Sequence, residues 1–258
     1  MVETGLFGEG CPHALGLSAG PDRGGTGVAH AVAAGFAFIE AGTVTARPEP
    51  DHNPGAAFLA AQISNLDPHR RCVVGANFGS HFSTRPEGIA TDWCDAFGIL
   101  APVAKFLTIN LSAPYYACLL QAQNLSCVID ALGELARMRD RRGSIPLLVK
   151  LPFGRKLEGE SVASLLPHLA FCGVNGVVVS SANDALADVV LHIRTARSVG
   201  GLPVVASGGV RTVTDLLERL AAGAERVQVY SVFAEGDQSA VDALLNRAKS
   251  LMPERDMQ

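Results

Sequence analysis

Eight short, continuously apolar runs recur along the chain and alternate with amphipathic stretches. The runs occupy residues 13–18, 36–42, 72–77, 106–110, 145–151, 176–181, 202–207 and 226–231. Strands that are buried on both faces have this character, because helices cover both faces of a parallel sheet. Helical patterns that end in Gly lie between several of the runs, and Gly is a common helix stop. These patterns are GVAHAVAAG, SCVIDALGELARMRDRRG, ESVASLLPHLAFCG, LADVVLHIRTARSVG and TVTDLLERLAAG.

Eight strands that alternate with helices over 258 residues predict an α/β fold, the (β/α)8 TIM barrel. A doubly wound sheet is the alternative, and the strand count together with the Gly-rich segments after the last two runs favours the barrel. No linker, low-complexity segment or strong repeat divides the chain. We therefore expect a single domain over 1–258, with loose ends at about 1–10 and 252–258.

Composition narrows the classes of partner. A hydrophobic fraction of 48% permits a large core, and a net charge of -4 gives no electrostatic footprint for nucleic acid. The six cysteines are scattered without a CxxC pair, so we expect no metal or iron–sulfur site and a reducing, cytoplasmic setting. The N-terminal residues lack a signal-peptide pattern, and no apolar run approaches the roughly 20 residues that a membrane-spanning helix needs. We expect no membrane partner.

Polar residues follow the predicted strands at their carboxyl ends, where ligand groups lie in such barrels. Lys150 stands inside the apolar run IPLLVKLP, and a lysine is rarely buried without a partner. A lysine that extends to solvent from the strand end is the alternative. Gly208 and Gly209 follow the seventh run, where loops often bind phosphate through backbone N–H groups. No GxGxxG motif opens a first βα unit, so a dinucleotide site of that kind is not expected.

Several motifs together resemble the dihydroorotate dehydrogenase family, FMN-dependent (β/α)8 enzymes of pyrimidine synthesis. FAFIEAGTVTARPEP is similar to the family's Gly-Thr-Val-Thr…Arg-Pro signature, and GLSAGPDRGG is similar to its first strand. The segments GANFGS, TINLSAPYY, PLLVKL and LPVVASGGVRT…AGAERVQVYSVF match further family segments in the same order. The matches extend over about 13–236, most of the chain.

The resemblance implies a complete FMN site. In the family, the corresponding positions lie against the flavin ring, hydrogen-bond its polar edge or hold the phosphate, and the lysine lies near the N1–O2 edge. A fixed cation there stabilises the negative charge of the reduced flavin. The implied cofactor-binding residues are Ala19, Gly20, Gly42, Thr43, Asn77, Asn110, Lys150, Ser180, Gly208, Gly209, Tyr230 and Ser231.

On the substrate side, this sequence departs from the family's pattern. The family's catalytic base is the Ser or Cys of an Asn-x-Ser-[Ser/Cys]-Pro-Asn turn, and that position is Ala113 here. Tyr115 replaces the following Asn, Arg23 replaces a family lysine near the first strand, and Ser181 replaces the Asn of an Asn-Thr pair. We predict that Arg23, Tyr115, Tyr116 and Ser181 line the substrate site.

An alanine cannot act as a general base, a role that typically contributes about 10²–10⁴-fold to rate. Tyr115, Tyr116 and His81 are candidate replacements. For the tyrosines, packing over the substrate is the alternative, and for His81 it is a surface position in the loop. We predict Lys150, Tyr115 and His81 as the catalytic set.

These features predict an FMN-dependent oxidoreductase that transfers a hydride between flavin N5 and a small molecule other than dihydroorotate, with a specialised biosynthetic pathway as one setting. The alternatives are a divergent genuine dihydroorotate dehydrogenase and a flavin-free phosphate-binding barrel. On the first hypothesis, Ala113→Ser alone does not restore dihydroorotate oxidation, because Tyr115 and Ser181 also differ. The resemblance also allows for a homodimer, whose interface the sequence does not locate.

Overall fold

A computed structural model describes residues 6–8, 11–20, 24–50, 53–69, 72–143, 145–153, 161–181 and 184–251. Eight parallel strands pair in chain order, and the first strand also pairs with the last, so the sheet closes into a barrel. The predicted (β/α)8 architecture is confirmed.

Each of the eight predicted runs overlaps one strand, and three of the strands extend one or two residues beyond the end of the run. The strands are β1 Leu15–Leu17, β2 Phe38–Val44, β3 Val73–Phe78, β4 Leu107–Asn110, β5 Leu147–Pro152, β6 Gly176–Ser180, β7 Val204–Ser207 and β8 Arg226–Val229. Most strands begin one or two residues after the apolar run does, because the first apolar residues enter the barrel before the ladder pairing starts.

Helices follow the strands and cover the outside of the barrel. They are α1 Val28–Ala34, α2 Ala56–Ser64, α3 Ile89–Leu100, α4 Leu125–Arg142, α5 Ser161–Leu169, α6 Leu186–Gly200, α7 Val213–Ala221, α8 Ser231–Ala234 and α9 Gln238–Ser250. Short 3-10 turns cover Pro86–Gly88, Pro114–Leu120 and Ala122–Asn124. The five helical patterns correspond to α1, α4, α5, α6 and α7. The pattern ESVASLLPHLAFCG is longer than the helix it predicts, because α5 ends at Leu169, two residues after Pro167.

The strand alternation divides the barrel interior into layers. Successive side chains of a strand point to opposite faces, so residues two apart share the interior. The lower interior layer is apolar and forms a cluster separate from the larger core between sheet and helices. Its strand-borne members and their immediate neighbours are Phe38, Val73, Phe106, Leu148, Val178 and Val205.

The described part of the N-terminal segment closes the floor of the barrel. Phe7 is buried, and its ring centroid lies 4.8 Å from that of Phe38 and 4.4 Å from that of Phe106. The Leu6 N–H donates to Glu225 Oε1 at 2.6 Å. This corrects the expectation of a loose end at 1–10 for these residues, because an aromatic side chain there completes the apolar layer. The segment 252–258 lies outside the described residues.

His13 gives the fold a defined dependence on pH. Its ring is buried, Nε2 lies 3.0 Å from the Gly35 carbonyl oxygen, and Nδ1 accepts the Leu15 N–H at 3.3 Å. Burial lowers the pKa of His13 below its ordinary 6.5. As pH falls below about 6.5, the unfolded chain takes up a proton that the folded chain does not, so stability falls.

We expect the free energy of unfolding to decrease by up to about 1.4 kcal/mol per pH unit from His13 alone in that range. Urea unfolding at about pH 7.5 and about pH 5.5 measures the decrease, and His13→Gln should lower stability at the higher pH but make its pH dependence shallower. An unchanged pH slope in the variant would assign the acid sensitivity to other groups.

Candidate flavin and substrate site

The upper interior of the barrel is a polar layer. The inward positions that follow the apolar floor along each strand carry polar or charged side chains, and nearly all of these side chains are buried. We call Ser18, Glu40, Asn77, Thr108, Asn110, Lys150, Ser207 and Gln228 the polar layer. The layer faces the carboxyl ends of the strands, which is the end at which barrels of this fold bind ligands.

Glu40 is the anionic centre of the layer. It is 1% exposed, and its carboxylate accepts hydrogen bonds from Asn77 Nδ2 and, at 2.6 Å, from Gln228 Nε2. The Lys150 ammonium lies 3.8 Å from Glu40 Oε1. Burying a carboxylate is expensive unless it is hydrogen-bonded and paired, and Glu40 meets both conditions.

Lys150 is held at a fixed position within the layer. It is 6% exposed, its Nζ donates to Ser18 Oγ at 2.8 Å, and Ser18 Oγ accepts from Ser207 Oγ at 3.1 Å. The lysine therefore does not extend to solvent. It lies at the carboxyl end of the strands, as the sequence predicts, with a serine and a carboxylate as its partners.

Asn110, the last residue of β4 and the uppermost member of the polar layer, forms a rim together with Gly20, Gly42 and Thr43. Asn110 Nδ2 donates to Thr43 Oγ1 at 2.8 Å, and Asn110 Oδ1 accepts from both the N–H and the hydroxyl of Ser112 at 2.8 Å. The Gly20 N–H donates to the Gly42 carbonyl at 2.9 Å. Gly42 has φ +125°, and a side chain there would collide with the Asn77 carbonyl. The rim brings together four of the predicted cofactor residues besides Asn77.

The turn after β7 is built to expose its backbone. Gly208 and Gly209 have φ +98° and +64°, which favour glycine. The Gly208 carbonyl accepts from Arg219 Nη2 at 3.0 Å, and Arg219 also donates through Nη1 to the Asp215 carbonyl at 2.9 Å. Burial lowers the pKa of Arg219. Because the Gly208 carbonyl is tied to α7, the orientation of this peptide is fixed.

The last predicted cofactor residues border the same end of the barrel. Tyr230 follows β8 and is 40% exposed, and a Cβ on Gly20 would lie 2.6 Å from its ring. Ser231 begins the short helix α8. Ser180 ends β6 on its inward-facing side, while Ala19 precedes Gly20 after β1. These residues remain predictions as flavin contacts.

The two neighbouring tyrosines differ in what they can do. Tyr116 is buried, its hydroxyl donates to the Ser80 carbonyl at 2.8 Å, and burial raises its pKa far above the usual range. Tyr116 therefore packs the β3 and β4 loops together, which corrects its predicted role as a substrate or acid–base residue. Tyr115 is 53% exposed and its ring lies 4.3 Å from that of Tyr116. It remains the accessible candidate in this turn.

His81 lies in the loop after β3 and belongs to a polar loop network. Its Nδ1 is 2.8 Å from Ser83 Oγ, its Nε2 is 3.8 Å from Glu49 Oε1, and its backbone N–H donates to Asp92 Oδ2 at 3.0 Å. Its ring stacks on Phe82 at 4.6 Å. The structure places no contact between His81 and the polar layer, so its catalytic role stays a prediction.

Two predicted substrate residues fall elsewhere. Arg23 lies outside the described residues. Ser181 is buried and its Oγ lies 3.5 Å from His192 Nδ1 on α6, so its side chain faces the strand–helix interface. The inward residue at the end of β6 is its neighbour Ser180. This register corrects the prediction for the Ser181 side chain.

Three buried polar atoms of the layer have no hydrogen-bond partner within the described part of the chain. They are Asn77 Oδ1, Thr108 Oγ1 and Gln228 Oε1. Such atoms are costly to bury, and water or a ligand normally satisfies them. Together with the rim and the backbone turn, these two acceptor oxygens and the Thr108 hydroxyl fit a large polar cofactor with a phosphate.

Comparisons with known proteins decide the family. A family model described as dihydroorotate dehydrogenase matches residues 169–252. A dihydroorotate dehydrogenase (quinone) of Kineococcus radiotolerans is 31% identical over 284 residues, which cover 90% of this chain and 77% of that protein. One of Dichelobacter nodosus is 28% identical over 290 residues, covering 93% and 85%. This chain belongs to the dihydroorotate dehydrogenase family.

A solved structure has the same fold. A structure of DHODH from Eimeria tenella in complex with ferulenol superposes with a TM-score of 0.75 at 19% identity, covering 91% of this chain and 80% of that one. Enzymes of the family are FMN-dependent oxidoreductases, and this chain is one of them by the comparisons above. In the described residues, no helix is both long enough and apolar enough to span a membrane.

Sequence reasoning did not single out Glu40, Gln228 or Arg219. The signal for Glu40 was its position in FAFIEAG, two residues from Phe38 and two from Gly42, which places it on the inward face. An arginine inside an amphipathic helix gives no comparable signal, because most such arginines lie on the solvated face.

We expect Arg219→Met to weaken FMN binding about tenfold, because losing one charge-assisted hydrogen bond releases the Gly208 peptide at a cost of about 1.5 kcal/mol. The matched control is Arg197→Met. Arg197 donates to the Gly223 carbonyl at 2.8 Å, a similar bond at the opposite end of the barrel.

Fluorescence titration of the apoprotein with FMN measures both affinities, after circular dichroism has shown that both variants are folded. Arg219→Lys should recover part of the loss. Equal weakening in Arg197→Met and Arg219→Met would show a general loss of stability in place of a local effect on the turn.

Proposed function

We propose that this protein transfers a hydride between FMN and dihydroorotate, in the direction of dihydroorotate oxidation. The observation that carries the flavin chemistry is the Lys150 ammonium, which is buried in the polar layer 2.8 Å from Ser18 Oγ at the carboxyl end of β5. The choice of dihydroorotate is supported by the relatives, whose similarity covers 85–93% of this chain and whose name states that activity.

Residues of this chain would hold the cofactor by three means. The backbone N–H groups around Gly208 and Gly209 would bind the phosphate, since the positive φ angles and the Arg219 bond fix that turn. Asn110 and the unpartnered Asn77 Oδ1 would contact polar edges of the ring. Bound FMN supplies a hydride acceptor that can oxidise a carbon–carbon bond next to a carbonyl. Lys150 would stabilise the negative charge that develops near it.

Oxidation of dihydroorotate also requires that a proton leave one carbon while the hydride leaves the next. Ala113, at the start of the turn after β4, cannot accept it. The nearest hydroxyl in sequence is that of Ser112, which donates to Asn110 Oδ1 at 2.8 Å. Tyr115, exposed two residues after Ala113, is the proposed proton relay: its phenolic oxygen would take the substrate proton while its own O–H proton passes to solvent water, and the reaction would be slower than with a serine at 113.

A second candidate is the same hydride transfer with a substrate other than dihydroorotate. Ala113 and the exposed Tyr115 favour it, because together they replace a base and an amide by a methyl group and an aromatic ring. Sites that read a polar substrate through hydrogen bonds lose much of their selectivity when those partners are gone. A larger or less polar ring conjugated to a carbonyl suits such a surface.

Anaerobic stopped-flow mixing with dihydroorotate separates the two candidates. If dihydroorotate is the substrate, the wild-type flavin is reduced slowly, and Ala113→Ser increases that rate by about 10²-fold by restoring a general base. Ala113→Val is the matched control, because the extended backbone at 113 (φ -72°, ψ 145°) accepts valine, which adds volume without a proton acceptor.

Flavin that stays oxidised in both the wild type and Ala113→Ser, although FMN is bound and dithionite reduces it, would reject dihydroorotate and support the second candidate. An equal increase in Ala113→Val and Ala113→Ser would show that the serine does not act as a base.

A further inference from the structure

Glu40 is a charged residue for which hydride transfer has no direct use. It lies on β2 in the barrel interior, 1% exposed, between the apolar residues Ile39 and Ala41 that face the helices. A carboxylate there is retained at the cost of desolvation, which well-packed apolar side chains would avoid. Its position below the rim, and not on it, suggests an effect exerted through a neighbouring side chain.

The hydrogen bonds of the layer are organised around this carboxylate. Asn77 and Gln228 both direct their amide N–H groups to Glu40. Their amide oxygens, Asn77 Oδ1 and Gln228 Oε1, are left without a partner among the described residues. The two amides thus hold one carboxylate in a single orientation, while their own oxygens make no hydrogen bond within the described residues.

Lys150 is the only lysine or arginine of the described chain recorded within 4 Å of that carboxylate. Its Nζ is 3.8 Å from Glu40 Oε1 and 2.8 Å from Ser18 Oγ, so the ammonium is fixed between an anion and a hydroxyl. Opposite charges this close in a buried site partly cancel at any group placed above them. The strength of Lys150 as a cation therefore depends on Glu40.

We propose that Glu40 is a positioning residue that fixes Lys150 and offsets its charge, and thereby sets how strongly the site favours reduced over oxidised FMN. The inference rests on the FMN site of the proposed function, but it does not depend on which substrate is oxidised. Glu40 touches neither cofactor nor substrate in this account and acts through the lysine.

The test is the midpoint potential of FMN bound to Glu40→Gln, measured with a chemical reductant and without substrate. Gln keeps the shape of Glu40 but leaves the Lys150 charge uncompensated. We expect the affinity ratio of reduced to oxidised FMN to rise about tenfold, the lower end of what an opposite charge at this distance does to a titrating group. That ratio equals an upward shift of about 30 mV for a two-electron couple.

Three further variants show whether the effect passes through Lys150. Glu40→Asp keeps the charge but withdraws it by one methylene, so it should give a smaller shift in the same direction, and it serves if Glu40→Gln does not fold. Glu225→Gln is the control, since Glu225 lies at the opposite end of the barrel and accepts the Leu6 N–H. In the Lys150→Met background, Glu40→Gln should change the affinity ratio of reduced to oxidised FMN by less than threefold.

A shift in the ratio below threefold for both Glu40→Gln and Glu40→Asp would overturn the inference. So would an equal shift with and without Lys150, because Glu40 would then act on the flavin directly. Wild-type protein that binds FMN but fails to oxidise dihydroorotate would contradict the proposed substrate and leave this test intact. Wild-type protein that binds no FMN would overturn both proposals.

Discussion

The ion pair between Glu40 and Lys150 is the constraint on which the interior of this barrel depends. Two opposite charges 3.8 Å apart are buried where most of the fold carries apolar side chains. Removing either partner would strand the other, a loss that typically amounts to about 3–5 kcal/mol for a buried pair. Asn77, Gln228 and Ser18 are polar because this pair needs hydrogen bonds that water cannot supply.

The layers of the interior separate stability from function along the barrel axis. The floor is apolar and is closed by Phe7. His13 is also buried at this end of the barrel, and its proton uptake is linked to unfolding. The polar layer carries charge and fixed amides, and the rim above it offers glycine backbone and Asn110. Loops at the carboxyl ends can therefore change the substrate while the strands keep the cofactor site.

Strand order, the barrel and Lys150 were predictable because each has a local signal, an apolar run or a charge within one. The partners of these residues were not. Glu40 on β2 and Gln228 on β8 lie on either side of β1 and are 188 residues apart in sequence, so only closure of the barrel brings them together. The orientation of the Ser181 side chain depends on the register of β6, in which Ser180 is the last residue that faces the barrel interior. Tyr116 lies in the same turn as Tyr115, yet its hydroxyl donates to the Ser80 carbonyl, a contact that no local sequence pattern indicates.

The visible absorption spectrum of the purified protein, with FMN quantified against chain concentration, tests the central claim most directly. We expect one FMN bound for each chain and a flavin spectrum changed from that of free FMN, because the ring would lie against the polar layer and the rim. A colourless protein that takes up no FMN, while its circular dichroism shows a folded barrel, would contradict the account.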